Sequence, residues 1–274
     1  MNRREIMGAM GILPALIAGP NLAAASPPLG PLSFASAEEE LRAFIRMKGA
    51  LQPVDVPLWY FGTLYAQMPD GTSTPLLGFQ GLEYARLERQ PDGAYRLSET
   101  MTTCFTDIVT GEFIDEFQNP ITGQLNKVAP NVASGASYDF STTQAKPLFG
   151  NYTATAAGLG ASWTESAGHV WMSYRRTYPD VWRAPASEYI TFHAPRAAFR
   201  RSSTAFLPAT FFSTTVLPWF RWLEMGTRPG WTLWHANGYK FQSLDELPRP
   251  LLAHLKQRHP QALVTPPRRA SEKS

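Results

Sequence analysis

Cysteine is almost missing from this chain: Cys104 is the only one in 274 residues. That excludes an intrachain disulfide, a thiolate zinc cage and a Cys-ligated iron–sulfur cluster, so stability rests on packing. Charge is scarce as well. Charged residues make up 17% of the chain and nearly cancel, at a net +3, which offers nucleic acid no broad basic surface. The two basic clusters, Arg196-Arg200-Arg201 and Arg268-Arg269, are short and lack interleaved aromatics, so they read as solvated surface. Familiar catalytic motifs are missing too. There is no H-E-x-x-H, no paired cysteine and no G-x-S-x-G, and Gly158 and Gly160 lack the strand-to-helix setting of a nucleotide loop. Zinc-enzyme and nicotinamide chemistry are therefore disfavoured, and neither a metal nor a cofactor is expected.

What is present begins at the N-terminus. Arg3 and Arg4 precede a Gly- and Ala-rich run that carries no charge between Glu5 and Glu38. The run ends in Ala23-Ala24-Ala25-Ser26, an A-x-A cleavage site, and the whole reads as a twin-arginine export signal over residues 1–25. Pro14 and Pro20, with Gly8, Gly11 and Gly19, make the stretch a poor membrane-spanning helix. The expected product is a periplasmic protein, free of the membrane once cleaved, folded before export and close to neutral. Its remaining length, about 250 residues, suits one domain with a full core.

Hydrophobic periodicity then sets the fold class. Ser36 before Glu38-Glu39-Glu40, with Leu41, Phe44 and Ile45 at helical spacing, predicts a helix of about three turns. Period-two runs follow at 58–68, 75–89, 94–107, 112–118, 124–129, 148–162, 168–178, 186–194, 208–217 and 231–241. The glycines of Thr110-Gly111 and Thr122-Gly123 mark turns that need a positive φ. Residues 131–144 are polar, Gly/Ser-rich and aperiodic, which predicts a long loop over an opening. Ser243 heads a single helical turn, Pro250 starts a second helix, Pro260 stops it, and 268–274 read as a disordered tail. Together these predict a mainly β protein over 26–267: an antiparallel β-barrel or strongly curved sheet with a helix near each end.

The segments WYFGTLYAQMP, the TGE and NPITG turns, and WLEMGTRPGWTLWHANGYKF followed by LDELP resemble the domain-of-unknown-function family 1838, often found behind twin-arginine signals. The likeness spans most of the chain after the signal. It implies a β-rich fold and supplies no catalytic residue, so function is read from the side chains.

Alternation along strands exposes three unusual residues. Tyr95, Leu97, Met101 and Phe105 share a face with Glu99; Ile190 and Phe192 share one with Glu188; Met172 and Tyr174 share one with Arg176. A charge on a core face is expensive unless paired, so these three are expected to meet inside the barrel. Two readings follow. In one, Glu99 or Glu188 transfers a proton, Arg176 clamps an anion and His235 is an alternative base. In the other, the same groups form an ion pair that fixes strand register. Tyr60, Tyr65, Tyr174, Trp182, Trp219 and Trp222 are candidate walls for a small aromatic or apolar ligand. His254 and His259, five apart, do not share a helical face, and His193 and His235 lie on separate strands. The function expected is cofactor-independent acid–base chemistry of lyase or isomerase type; the rival is a carrier using the same pocket. Oligomeric state is not legible.

Overall fold

In the computed structural model, which describes residues 30–148, 159–178, 186–201 and 206–264, the chain enters as a two-residue strand, β1 (Gly30–Pro31), and then a helix, α1 (Ala37–Lys48). The N-cap is Ser36, whose hydroxyl accepts the Glu39 amide at 3.1 Å, and the three glutamates sit at the positive helix end. Residues 1–25, Trp182 and the tail at 268–274 lie outside the described residues.

The strands that follow are β2 (Val56–Gln67), β3 (Ser73–Arg89), β4 (Tyr95–Thr106), the hairpin β5 (Glu116–Gln118) and β6 (Leu125–Lys127), then β7 (Asn131–Phe140), β8 (Ala145–Pro147), β9 (Ser162–Ser166), β10 (His169–Tyr178) and β11 (Ala186–Pro195). A short helix, α2 (Arg196–Arg200), leads to β12 (Thr210–Leu217) and β13 (Trp231–Lys240), and α3 (Arg249–Arg258) follows. Eleven strands form one antiparallel sheet in the order β1-β9-β10-β11-β12-β13-β2-β3-β4-β7-β8. It curls into a half-barrel. The curl is measurable: Tyr138 on β7 donates to the carbonyl of Thr177 on β10 at 2.9 Å, although six strands separate β7 from β10 in the sheet.

Helix α1 lies in the concavity. Phe44 packs against Phe140 of β7 at 4.8 Å and edge-on to Tyr174 of β10 at 5.0 Å, so the helix bridges the two arms of the sheet. Its C-terminal carbonyls are held from the opposite direction. Lys240, at the end of β13, donates from Nζ to the carbonyls of Arg46, Met47 and Gly49 at 2.8, 3.2 and 2.6 Å. An ammonium at a helix C-terminus satisfies orphan acceptors and opposes the negative dipole end. On the convex side α3 covers β3 and β4, building a second core from Leu82, Tyr84, Phe241, Leu247, Leu251 and Leu255. No helix among the described residues is long and apolar enough to cross a membrane.

The predicted turns carry the expected backbone, with φ of 73° at Gly111 and 71° at Gly123. Ser243 forms a capping box with Glu246, Pro250 stands in the first turn of α3, and Pro260 opens a short 3-10 turn. Three expectations need correction. Residues 131–140 are strand β7 rather than loop: the ladder to β4 is made by backbone, and the exposed stretch 132–135, which is mostly small residues, leaves too little hydrophobic alternation to read before Tyr138 and Phe140. The runs at 112–118 and 124–129 shrink to the three-residue strands β5 and β6. Within the run at 148–162, strand appears only from Ser162, and 149–158 lie outside the described residues.

Candidate active site

Alternation places Glu99 on the concave face of β4, Glu188 on that of β11 and Arg176 on that of β10, and the curl brings them into contact. Arg176 donates from Nη1 to both oxygens of Glu99, at 2.9 and 3.0 Å, and from Nε and Nη2 to Glu188 at 2.8 and 2.6 Å. Glu99 comes from the far arm of the half-barrel, so this guanidinium crosslinks the fold. It holds two glutamates and is not poised as a clamp for an anionic ligand.

Two further charges, unmarked by any motif, complete the cluster. Lys48, in the last turn of α1 and only 3% exposed, lies 3.0 Å from Glu99 and 3.2 Å from Glu83. Glu83 sits on the concave face of β3 with Phe79, Ala85 and Leu87. Sequence reading missed it because β3 is buried on both faces, Leu82 and Tyr84 lying under α3, so period two is lost. Lys48 was hidden because α1 buries its last turn against the sheet, where a basic residue would ordinarily be solvated.

The two carboxylates are driven apart in acidity. Glu99 accepts from Arg176, Lys48 and the Ser137 hydroxyl, the last at 2.7 Å; although burial opposes it, these contacts hold the carboxyl well below its usual range. Glu83 meets Lys48, and the Glu99 charge stands nearby. Burial, the largest influence, raises its pKa; Glu99 adds to the rise, and Lys48 opposes it. Of the carboxylates in the cluster, Glu83 is the one whose surroundings push it toward the protonated form. Burial also raises the Tyr174 phenol to about 12, and its hydroxyl has no hydrogen-bond partner among the described residues.

Glu83, Glu99, Arg176 and Glu188 line one side of a cavity of about 450 Å³, a size suited to a small molecule. The facing wall is apolar: Phe79, Met101, Phe211, Leu217, Trp234 and Ala236. Tyr60 also lines it, tethered to Thr103 by a 2.6 Å hydroxyl pair, with its ring lying over Gly81 where any Cβ would collide. Asn131, Ser134 and Ser137 of β7 form part of the rim, so the segment expected as a loop over the opening lies at that opening as a strand.

The remaining sequence candidates fall elsewhere. His235 shares a face with Trp231 and Leu233 as expected, but that face is the convex one; the ring is exposed beside Thr214, away from Trp234 and Ala236. Tyr65 is on the convex face of β2 as well. Trp219 donates to the Arg228 carbonyl at 2.9 Å, and Trp222 packs on Phe105, Phe117 and Phe220; both support the core without lining the cavity. Tyr174 contacts α1 and the charge cluster and is absent from the cavity lining. The aromatic surface is instead supplied by Phe79, Phe211 and Trp234. Alternation from Thr232 and Ala236 would have found Trp234. His193, also convex, stacks between Trp171 and Phe212 and does not join His235. Within the cavity the carboxylates are occupied by Lys48 and Arg176, an arrangement that favours retained protons and ion pairs over metal ligation.

A family model described as a protein of unknown function, DUF1838, matches residues 54–274. No curated protein and no solved structure matches the chain.

Proposed function

Given that the chain belongs to the DUF1838 family, we propose that it is a cofactor-independent acid–base enzyme of lyase or isomerase type, acting on a small aromatic or apolar molecule in the half-barrel cavity. The observation that carries this reading is the pairing of Glu83 with Glu99. Two carboxyls face one cavity, and their surroundings push one toward the neutral acid and hold the other ionised. Groups separated in this way supply a proton donor or acceptor beside a fixed negative charge. Glu83 is accordingly the proton-transfer group. Glu99 with Lys48 and Arg176 sets the field around it, and Glu188 anchors Arg176. The apolar wall excludes water and positions a flat ligand.

The test follows exchange and conversion together. Wild-type protein incubated in D2O with a panel of monocyclic aromatic ketones, acids and alkenols should incorporate deuterium into, or convert, at least one ligand that it binds. Glu83→Gln should retain binding of that ligand while its turnover falls about a hundredfold or more, the usual scale of a general acid–base contribution. Binding without exchange or product throughout would identify the rival, a carrier in the same cavity. For location we propose export to the periplasm by the twin-arginine route, on the strength of Arg3, Arg4 and the Ala25 cleavage site.

A further inference from the structure

On the convex face of the sheet, remote from the acid–base cluster, the fold gathers Cys104, His254 and His259, with their ligating atoms all within 4.8 Å of one another. The three come from different places. Cys104 is on β4, one residue beyond Thr103, which holds Tyr60 on the concave side. His254 lies on α3, and His259 is its C-cap, with φ −139° and ψ 53°. That departure from helical geometry is why five-residue spacing, wrong for an unbroken helix, still brings the two rings to 5.9 Å. The Cys104 thiol is buried, while both imidazoles are half-buried. Neither ring nor thiol has a side-chain hydrogen bond among the described residues. Phe113 stacks on His254 at 4.0 Å and fixes that ring's plane.

We propose that Cys104, His254 and His259 bind one Zn2+ per chain, stapling the C-terminal helix to strand β4. One thiolate with two imidazoles suits this borderline-soft ion, and oxygen-seeking cations find no comparable set here. A tetrahedral zinc holds such donors about 3.4–3.6 Å apart, so a small side-chain rotation closes the site. A compact sequence motif is absent because β4 and α3 lie about 150 residues apart in the chain and meet only in the folded state.

The experiment uses the full chain made without a polyhistidine tag, stripped by chelator and titrated with ZnCl2 by calorimetry, with CoCl2 as a spectroscopic stand-in. Expected are one ion per chain, a higher melting temperature with zinc, and a thiolate-to-cobalt charge-transfer band with strong d–d bands of tetrahedral type. The pair His254→Gln and His259→Gln, at partly exposed positions, should fold normally by circular dichroism and lose zinc affinity at least tenfold. Cys104→Ala should abolish the charge-transfer band; if that variant does not fold, the histidine pair decides. The proposal is overturned if wild type binds no stoichiometric zinc, if the folded histidine variant binds it as tightly, or if Cu+ binds and Zn2+ does not.

Discussion

At the level of single residues, the concave face holds charges that look alike in the sequence and differ in consequence. Glu99 and Glu83 both reach Lys48, but only Glu99 also reaches Arg176 and Ser137. Removing the Glu99 charge breaks its contacts with two buried cations, Lys48 and Arg176, at a cost on the order of 3 kcal/mol. Glu99→Gln should therefore lower the denaturant midpoint substantially at neutral pH. The linkage has a definite sign. Because folding lowers the Glu99 pKa below the unfolded value of 4.5, its contribution is complete above that pH and is lost as pH falls through the folded value. Acid titrations followed by circular dichroism should show a steep loss below about pH 4.5 in wild type and a flatter one in Glu99→Gln. Glu83 acts in the opposite sense. Its raised pKa makes the carboxylate a burden above pH 4.5, so Glu83→Gln should match or exceed wild-type stability at pH 7. A loss of several kcal/mol in Glu83→Gln would instead assign that residue to structure. The ionised half of this pair was legible in the sequence, since Glu99, Glu188 and Arg176 each interrupt an apolar alternation. Glu83 was not, because its neighbours on both faces are buried.

Elements repeat the pattern at larger scale. Strands with one buried face, such as β10, β11 and β13, were placed to within a residue or two, and the caps of α1 and α3 fell where Ser36 and Pro250 indicated. Strand β7 was lost because its first half is mostly Ala, Ser and Gly, which pairs with β4 through backbone and shows no alternation, and only Tyr138 and Phe140 at its end reach the core. Alternation also assigns faces without saying which is concave, and for that reason His235 was grouped correctly with Trp231 and Leu233 yet sent to the wrong side; Tyr65 was set beside Tyr60 as a wall, although five residues along a strand put the two on opposite faces. The docking of α1 is a tertiary matter that no local pattern reveals. It rests on Lys240, and Lys240→Met should leave three buried carbonyls without their donor. The expected loss is about 2–3 kcal/mol, the scale of unsatisfied buried acceptors, read as a shift of the urea midpoint at unchanged slope. Hydrogen exchange should then show α1 amides opening before those of β2 and β13.

For the whole molecule, one prediction concerns transit and tests the N-terminal reading. Replacing Arg3 and Arg4 with lysine should leave full-length precursor in the cytoplasm, scored by fractionation and immunoblot; an undiminished periplasmic pool beginning at Ser26 would refute the twin-arginine route. The sheet order bears on the same process through time. Strand β13 pairs with β2 along Trp231–Gln67 to Lys240–Leu58, joining a near-final segment to one of the first. The early strands β2, β3, β4, β7 and β8 make one arm, and β1 with β9 to β12 make the other; β13 is the single seam between them. An arm alone cannot bring Arg176 to Glu99 or Lys240 to α1. A nascent chain therefore has neither its charge cluster nor its cavity until β13 has emerged from the ribosome. Such long-range closure makes folding slow. Nascent chains halted before Trp231 should be cut by protease within α1, and chains extended past α3 should resist.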